Sequence, residues 1–127
     1  MRSFLLNKLV RDNVFANMQE LGQKITHRQL SDEEFLHELK RKLLEEADEF
    51  DSADPKAAEE LADLLEVIET AGQQLGQSFD ELRTLQLDRR AKRGGFDQRI
   101  FVERLDLADD DPWADYYAND PTRFKEV

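Results

Sequence analysis

The chain contains no cysteine, and its 127 residues include only 5 glycines and 3 prolines. The absence of cysteine excludes disulfides, thiolate zinc sites and cysteine nucleophiles. So few glycines and prolines are typical of a helical domain and argue against a sandwich with many turns. No apolar run approaches the length of a membrane span, and the apolar run at residues 4–6 is too short for a signal peptide. We therefore expect a cytoplasmic protein that does not enter a membrane.

Basic residues are the minority among the charged ones, with 18 Lys and Arg against 29 Asp and Glu, for a net charge of -11. Such a chain would be repelled by a phosphate backbone, so a nucleic acid is not expected as its partner. The acidity instead favours solubility and the binding of cations. The length is sufficient for one domain with a hydrophobic core.

Four helices are predicted from apolar periodicity and from residues typical of helix ends. The expected end signals are Gly22 after the first helix, Ser31 with Glu34 before the second, Asp54 and Pro55 before the third, and Ser78 with Glu81 before the fourth, which ends at RRAKRGG. These helices predict one all-α domain over residues 1–102. Residues 103–127 read as an acidic tail with three aromatic anchors, Trp113, Tyr116 and Tyr117.

The two central helices carry acidic residues beside their apolar stripes. In the second helix the stripe centres on Leu39, Leu43 and Phe50. Glu46 then lies about 50° and Glu49 about 110° to one side of it, while Glu38, Glu45 and Asp48 point towards water. In the third helix the apolar residues are Leu61, Leu64, Leu65, Ile68, Ala71 and Leu75, and Glu60 and Asp63 lie on the flank of the same hand, with Val67 between them.

A short connection, DSADP, predicts that these two helices form an antiparallel hairpin. Flanks of the same hand then lie on one side of the pair, with Glu46 level with Asp63 and Glu49 level with Glu60. Four half-buried carboxylates would repel one another, and a hard divalent cation such as Mg²⁺ would neutralise them. The alternative is a solvated acidic face, whose charge nearby lysines and arginines partly offset.

The same residues resemble a known family. Glu46-x-x-Glu49 followed by Glu60-x-x-Asp63 resembles the ExxE…ExxD signature of the MazG-like all-α nucleoside triphosphate pyrophosphohydrolases. The stretches NKLVRD and KRGGF, the latter followed by RIF, resemble the N- and C-terminal motifs of its phosphoribosyl-ATP pyrophosphohydrolase-like, or house-cleaning, branch. The resemblance covers roughly residues 5–102, and the four pieces occur in the family's order.

The resemblance implies cleavage of a nucleoside triphosphate, possibly a non-canonical one, into a monophosphate and pyrophosphate. It implies that Glu46, Glu49, Glu60 and Asp63 hold Mg²⁺, with Mn²⁺ as a substitute, and that Glu45 assists from behind them. The anionic substrate also needs cations. Lys8 and Arg11 occur near the start, and Arg89, Lys92 and Arg93 occur before Gly94 and Gly95. The second cluster could equally complement a helix dipole.

The family also implies a homodimer or larger homo-oligomer, because one short hairpin is too small to enclose a nucleotide. Two alternatives stay open: a non-catalytic helical module that binds a nucleotide, a metal or a protein, and the phosphoribosyl-ATP pyrophosphohydrolase of histidine biosynthesis. No motif selects the nucleobase.

Overall fold

A computed structural model describes all 127 residues, and its regular structure is entirely helical, which confirms the all-α prediction. The helices are α1 (Asp12–Glu20), α2 (Asp32–Glu49), α3 (Ala57–Gln74), α4 (Phe79–Arg93) and α5 (Pro112–Ala118). None of them combines the length and the apolar character that crossing a membrane would require.

Both predicted capping boxes are present. At the start of α2 the hydroxyl of Ser31 accepts a hydrogen bond from the backbone of Glu34 at 3.3 Å, and the Glu34 carboxylate accepts one from the backbone of Ser31 at 3.4 Å. At the start of α4 the same reciprocal pair joins Ser78 and Glu81, at 3.1 and 3.3 Å. Each box satisfies backbone donors that a helix N-terminus leaves unpaired, which fixes where these helices begin.

The predicted start of the third helix is wrong by two residues. The chain makes a turn first, in which the backbone N–H of Ala57 donates to the carbonyl of Asp54 at 3.0 Å. The Asp54 carboxylate accepts from the backbone of Lys56 at 2.8 Å, so it caps this turn rather than the helix. Pro55 occupies the turn position whose φ its ring already fixes, and α3 begins at Ala57.

Helices α2 and α3 are the helix pair that packs together, joined by residues 50–56. Their contact buries the only two buried apolar side chains of the chain, Leu39 at 4% exposure and Val67 at 8%. The predicted inward stripe of α3 is therefore correct only in part. Leu64 and Ala71 are half-buried, whereas Leu61, Leu65, Ile68 and Leu75 are exposed. The face of α3 that packs passes through Val67, which brings the neighbouring acids Glu60 and Asp63 into a half-buried position.

The chain divides into two compact units, Met1–Lys92 and Arg93–Val127. In the second unit, Asp111 caps α5 by accepting from the backbone of Trp113 at 2.8 Å. Two predicted aromatic residues of the tail pack against Phe124, whose ring centroid lies 4.9 Å from Tyr117 and 6.0 Å from Tyr116, and the third, Trp113, lies 5.4 Å from Tyr116. The boundary predicted after residue 102 marks the end of the family-like sequence region and stays a prediction. It is a different boundary from the division between the compact units, which follows Lys92.

Candidate functional site

Glu46 is the most enclosed acid of the predicted set. It lies on the face of α2 that packs against α3, and its side chain is only 12% exposed. Burial raises the pKa of Glu46, and repulsion from Glu49 and Asp63 adds to the increase, against the attraction of Lys42. Glu46, Glu49 and Asp63 are therefore close enough to repel one another. The charged form of Glu46 is unfavourable in this position.

Two basic residues from the segment before α1 reach the acids. Lys8 Nζ lies 3.0 Å from Glu45 Oε1, and Arg11 Nη2 lies 3.1 Å from Asp63 Oδ1. The hydrogen bond between Lys8 and Glu45 raises the pKa of Lys8 and lowers that of Glu45. Asn7 turns the chain just before Lys8, with a left-handed φ of 48° that asparagine tolerates. Both predicted N-terminal cations thus lie beside predicted site acids.

A third cation, Lys42, lies between the acids and was not predicted as a site residue. Its Nζ is 3.4 Å from Glu45 Oε1 and 3.6 Å from Glu46 Oε1, and its side chain is 16% exposed. Spacings of three and four residues on one helix bring such side chains together, so the sequence held a signal. Such spacings of lysine and glutamate are common on helix surfaces, however, and they do not indicate that the Lys42 side chain is largely buried.

A groove of about 470 Å³ opens beside these charges. Its polar lining consists of Lys8, Arg11, Lys42, Glu46 and Asp63. Its apolar lining comes from the N-terminal segment and α1, namely Leu6, Leu9, Val10, Val14 and Met18. The volume lies within the range typical of small-molecule sites, and convergent charges beside an apolar wall are the usual composition of such sites.

The other two predicted ligands are outside this lining. Glu49 is exposed. The Glu60 carboxylate accepts a hydrogen bond from the backbone of Asp51 at 3.0 Å, at the connection between α2 and α3. No group of three or more acidic or histidine side chains is arranged so that it could hold a metal ion. Of the four predicted ligands, Glu46 and Asp63 are instead paired with protein cations, Lys42 and Arg11.

The acids expected to face water divide into two kinds. Asp48 is exposed, as predicted, whereas Glu38 and Glu45 are half-buried. Glu38 accepts from Arg41 through both oxygens at 2.9 Å, and Glu45 is held by Lys8 and Lys42. The prediction for Glu38 and Glu45 is wrong because the segment before α1 lies along this flank of α2, with Lys8 and Leu9 beside the two acids.

In the second predicted basic cluster, Arg89 and Lys92 do not join the acids of the groove. Arg89 is exposed, and Lys92 pairs with Asp88 one turn earlier at 3.2 Å. Neither lines the groove. Arg93 is the last residue of α4 and belongs to the other compact unit. Gly94 follows it with φ +78°, which is the left-handed conformation expected of a residue that ends a helix.

Comparison with known proteins yields no match, whether the chain is compared with protein-family models, with curated proteins or with solved structures.

Proposed function

We propose that the protein is a Mg²⁺-dependent pyrophosphohydrolase that converts a nucleoside triphosphate into a monophosphate and pyrophosphate. One observation carries the proposal: the groove places two acids of the family-like signature, Glu46 and Asp63, beside three cations and an apolar wall. A nucleotide has the complementary parts, because its phosphates need both metal and basic groups while its base and sugar can contact apolar side chains.

The donor set is chemically suited to Mg²⁺ or Mn²⁺, which prefer carboxylate oxygens. Glu46, Glu49, Glu60 and Asp63 would hold the metal, and its charge would relieve the repulsion that raises the pKa of Glu46. Binding would require Asp63 to leave Arg11, and Glu60 to leave the backbone of Asp51. Both contacts are exposed. The ion pair between Arg11 and Asp63 is of the exposed kind that contributes little to stability, about 0–1 kcal/mol, and the contact of Glu60 is a single hydrogen bond to a backbone N–H.

When bound, the metal would polarise a water and the phosphoryl oxygens. The chain's own residues would do the rest. Lys8 and Arg11, once released from their acids, would bind the phosphates, and Glu45 would orient the residues behind the metal. Water adds across the anhydride between the α and β phosphates, and the bridging oxygen leaves with one of the two products. No covalent intermediate with the protein is required.

We further propose that α2 and α3 form an antiparallel hairpin whose other side meets a second copy of the chain. The acids flank the packed face on the same hand in both helices, so the other flank of the hairpin faces away from them. That side carries the exposed apolar residues Leu44 of α2 and Leu61, Leu65 and Ile68 of α3. Several exposed apolar side chains on one side of a helix pair are typical of an interface. A homodimer or larger homo-oligomer would cover it and help to enclose the nucleotide.

The second candidate function is a non-catalytic module that binds a nucleotide or protein. One observation favours it, namely that the predicted ligands do not form a group that could hold a metal, and that two of them, Glu46 and Asp63, are paired with cations. A phosphoribosyl-ATP substrate is a further alternative, because that compound also carries the α–β anhydride.

The test is incubation of the protein with ordinary nucleoside triphosphates, oxidised or deaminated ones and phosphoribosyl-ATP, with Mg²⁺ and with EDTA, followed by chromatography of the products. We expect a monophosphate and pyrophosphate, with Mg²⁺ only. Glu46→Gln and Asp63→Asn should reduce the rate by orders of magnitude, whereas Asp48→Asn, an equal change of charge at an exposed position of the same helix, should not. Diphosphate and orthophosphate as products would indicate another enzyme class, and no turnover of any compound would favour the binding module.

A further inference from the structure

Residues 1–20, which we call the arm, are attached to the rest of the first compact unit through side chains alone. The arm consists of the non-helical residues 1–11 and of α1. Helix α1 packs against no other helix and buries none of its side chains. Every backbone hydrogen bond of the arm is local. Its aromatic contact, between Phe15 and His27 at 4.6 Å, joins α1 to the connection that follows it and not to α2 or α3.

Two ion pairs are the polar contacts between the arm and the α2–α3 pair. Lys8 donates to Glu45 at 3.0 Å. Arg11 donates to Asp63 at 3.1 Å. The two basic side chains are 43% and 55% exposed, and exposed ion pairs are weak and are screened by salt. The attachment of the arm should therefore be weak and should depend on ionic strength.

The groove lies between the arm and the α2–α3 pair. Lys42, Glu46 and Asp63 line it from the pair, and every other lining residue belongs to the arm. Leu9 and Val10 of the arm are half-buried, so displacement of the arm would expose them and remove one wall of the groove. Anything bound in the groove would contact both parts and would therefore favour the attached arm.

The connection between α1 and α2 is suited to act as a hinge. Residues 21–31 contain no helix, and Gly22 at their start has a left-handed φ of +72°. Hinges of moving elements are loop residues that absorb changes in backbone angles. We propose that the arm is a lid, held by electrostatic attraction, that opens and closes over the groove while the α2–α3 pair stays folded. This inference applies to any ligand of the groove and requires neither a bound metal nor hydrolase activity.

Amide hydrogen exchange of the full chain, measured by mass spectrometry, tests the lid. The nine residues of α1 are too few for a stable helix without packing, so its amides should exchange whenever the lid opens. Glu45→Gln combined with Asp63→Asn removes both ion pairs and leaves the sequence of the arm intact. At about 20 mM salt, α1 of this double variant should exchange about twofold to thirtyfold faster than α1 of the original chain, with α2 and α3 unchanged. At about 0.5 M salt the difference should largely disappear, because screening weakens the pairs of the original chain.

Asp48→Asn combined with Glu59→Gln is the matched control. It also removes one Asp and one Glu, one from each helix, at exposed positions that form no ion pair with the arm. Its α1 should exchange like that of the original chain.

Because the chain has no cysteine, a single introduced one reports on the groove directly. Val10→Cys, on the groove wall, should react with a thiol reagent faster when Glu45→Gln and Asp63→Asn are also present. Leu5→Cys, at a position of the arm that is 92% exposed, should react equally fast in both backgrounds.

The proposal is overturned if, at low salt, α1 of the Glu45→Gln and Asp63→Asn variant exchanges like that of the original chain, or if Val10→Cys reacts equally fast in both backgrounds. It is also overturned if the control has the same effect, because net charge would then be the cause. Joint exchange of α1, α2 and α3 would overturn it as well, because the arm would then not open separately. Absence of nucleotide hydrolysis would contradict the proposed function and leave these results unchanged.

Discussion

At the scale of single residues, enclosure distinguishes the charged side chains of α2 more than their chemical type does. Glu46 and Asp48 are both acids, yet Glu46 is enclosed and its pKa is raised, whereas Asp48 faces water. Among the lysines, Lys42 is half-buried and Lys40 is exposed. Perturbed and enclosed charges concentrate where a protein binds or reacts, so this contrast is what separates the candidate site from an ordinary acidic helix face.

Glu34 provides a pH prediction that is independent of the groove. Hydrogen bonds from Arg28, at 2.6 and 3.1 Å, and from the capping box lower the pKa of Glu34 from 4.5 to about 2. A carboxyl with a lower pKa in the folded state stabilises the protein above its unfolded pKa. This stabilisation is lost as the pH falls from 4.5 to about 2.

Glu34→Gln keeps an oxygen for the capping box and removes the titration. We therefore expect the unfolding free energy of this variant, measured with urea, to fall less steeply between pH 4.5 and about 2 than that of the original chain. Glu33→Gln, an exposed neighbour in the same helical turn, is the control and should keep the steep fall. Equal slopes for the original chain and Glu34→Gln would contradict the assignment.

At the scale of helices, the sequence predicted the ends better than the faces. The boxes at Ser31 and Ser78 were readable because a capping box is a contact between residues three apart. The packed face of α3 was not, because Leu61, Leu65 and Val67 are equally apolar and only the partner helix decides which of them is buried. A prediction from apolar periodicity alone assumes that every apolar residue packs inside one chain.

For the candidate site, the sequence predicted which charged residues take part but not how they pair. The four acids were predicted from helix periodicity and from the family-like motifs, and the two N-terminal cations from the charge of an anionic substrate, but the pairing of acids with cations was not predicted. Lys8 meets an acid 37 positions away and Arg11 meets one 52 positions away, and nothing local encodes such contacts. The enclosure of Lys42 depends in the same way on the segment and the helices around it.

At the scale of the whole molecule, the chain buries very little apolar surface. Leu39 and Val67 are its only buried apolar side chains, whereas Leu65, near the centre of α3, is 50% exposed. Buried apolar area is the main favourable contribution to folding. The exposed apolar side of α2 and α3 is consistent with the proposed homo-oligomer, in which a second copy would supply the missing contacts.

Leu65→Glu places a charge in the centre of that surface, and the cost of burying it should dissociate the assembly. We expect light scattering after size-exclusion chromatography to give at least the mass of a dimer for the original chain and a smaller mass for the variant. Gln73→Glu adds the same charge at a polar position of α3 and should leave the mass unchanged. A monomeric original chain, or an unchanged mass for Leu65→Glu, would refute this interface.

The central claim is that the enclosed acids serve a metal ion, and thermal unfolding of Glu46→Gln tests it most directly. In EDTA the variant should unfold at the same temperature as the original chain or higher, because it removes the charge that burial and Glu49 disfavour. With excess Mg²⁺ the order should reverse, since only the original chain gains full binding free energy, about 2.7 kcal/mol at one hundred times the dissociation constant. Protein concentration is held constant, and Asp48→Asn should follow the original chain in both conditions. If Glu46→Gln is less stable in EDTA and Mg²⁺ shifts both proteins equally, the acids are structural and the claim is wrong.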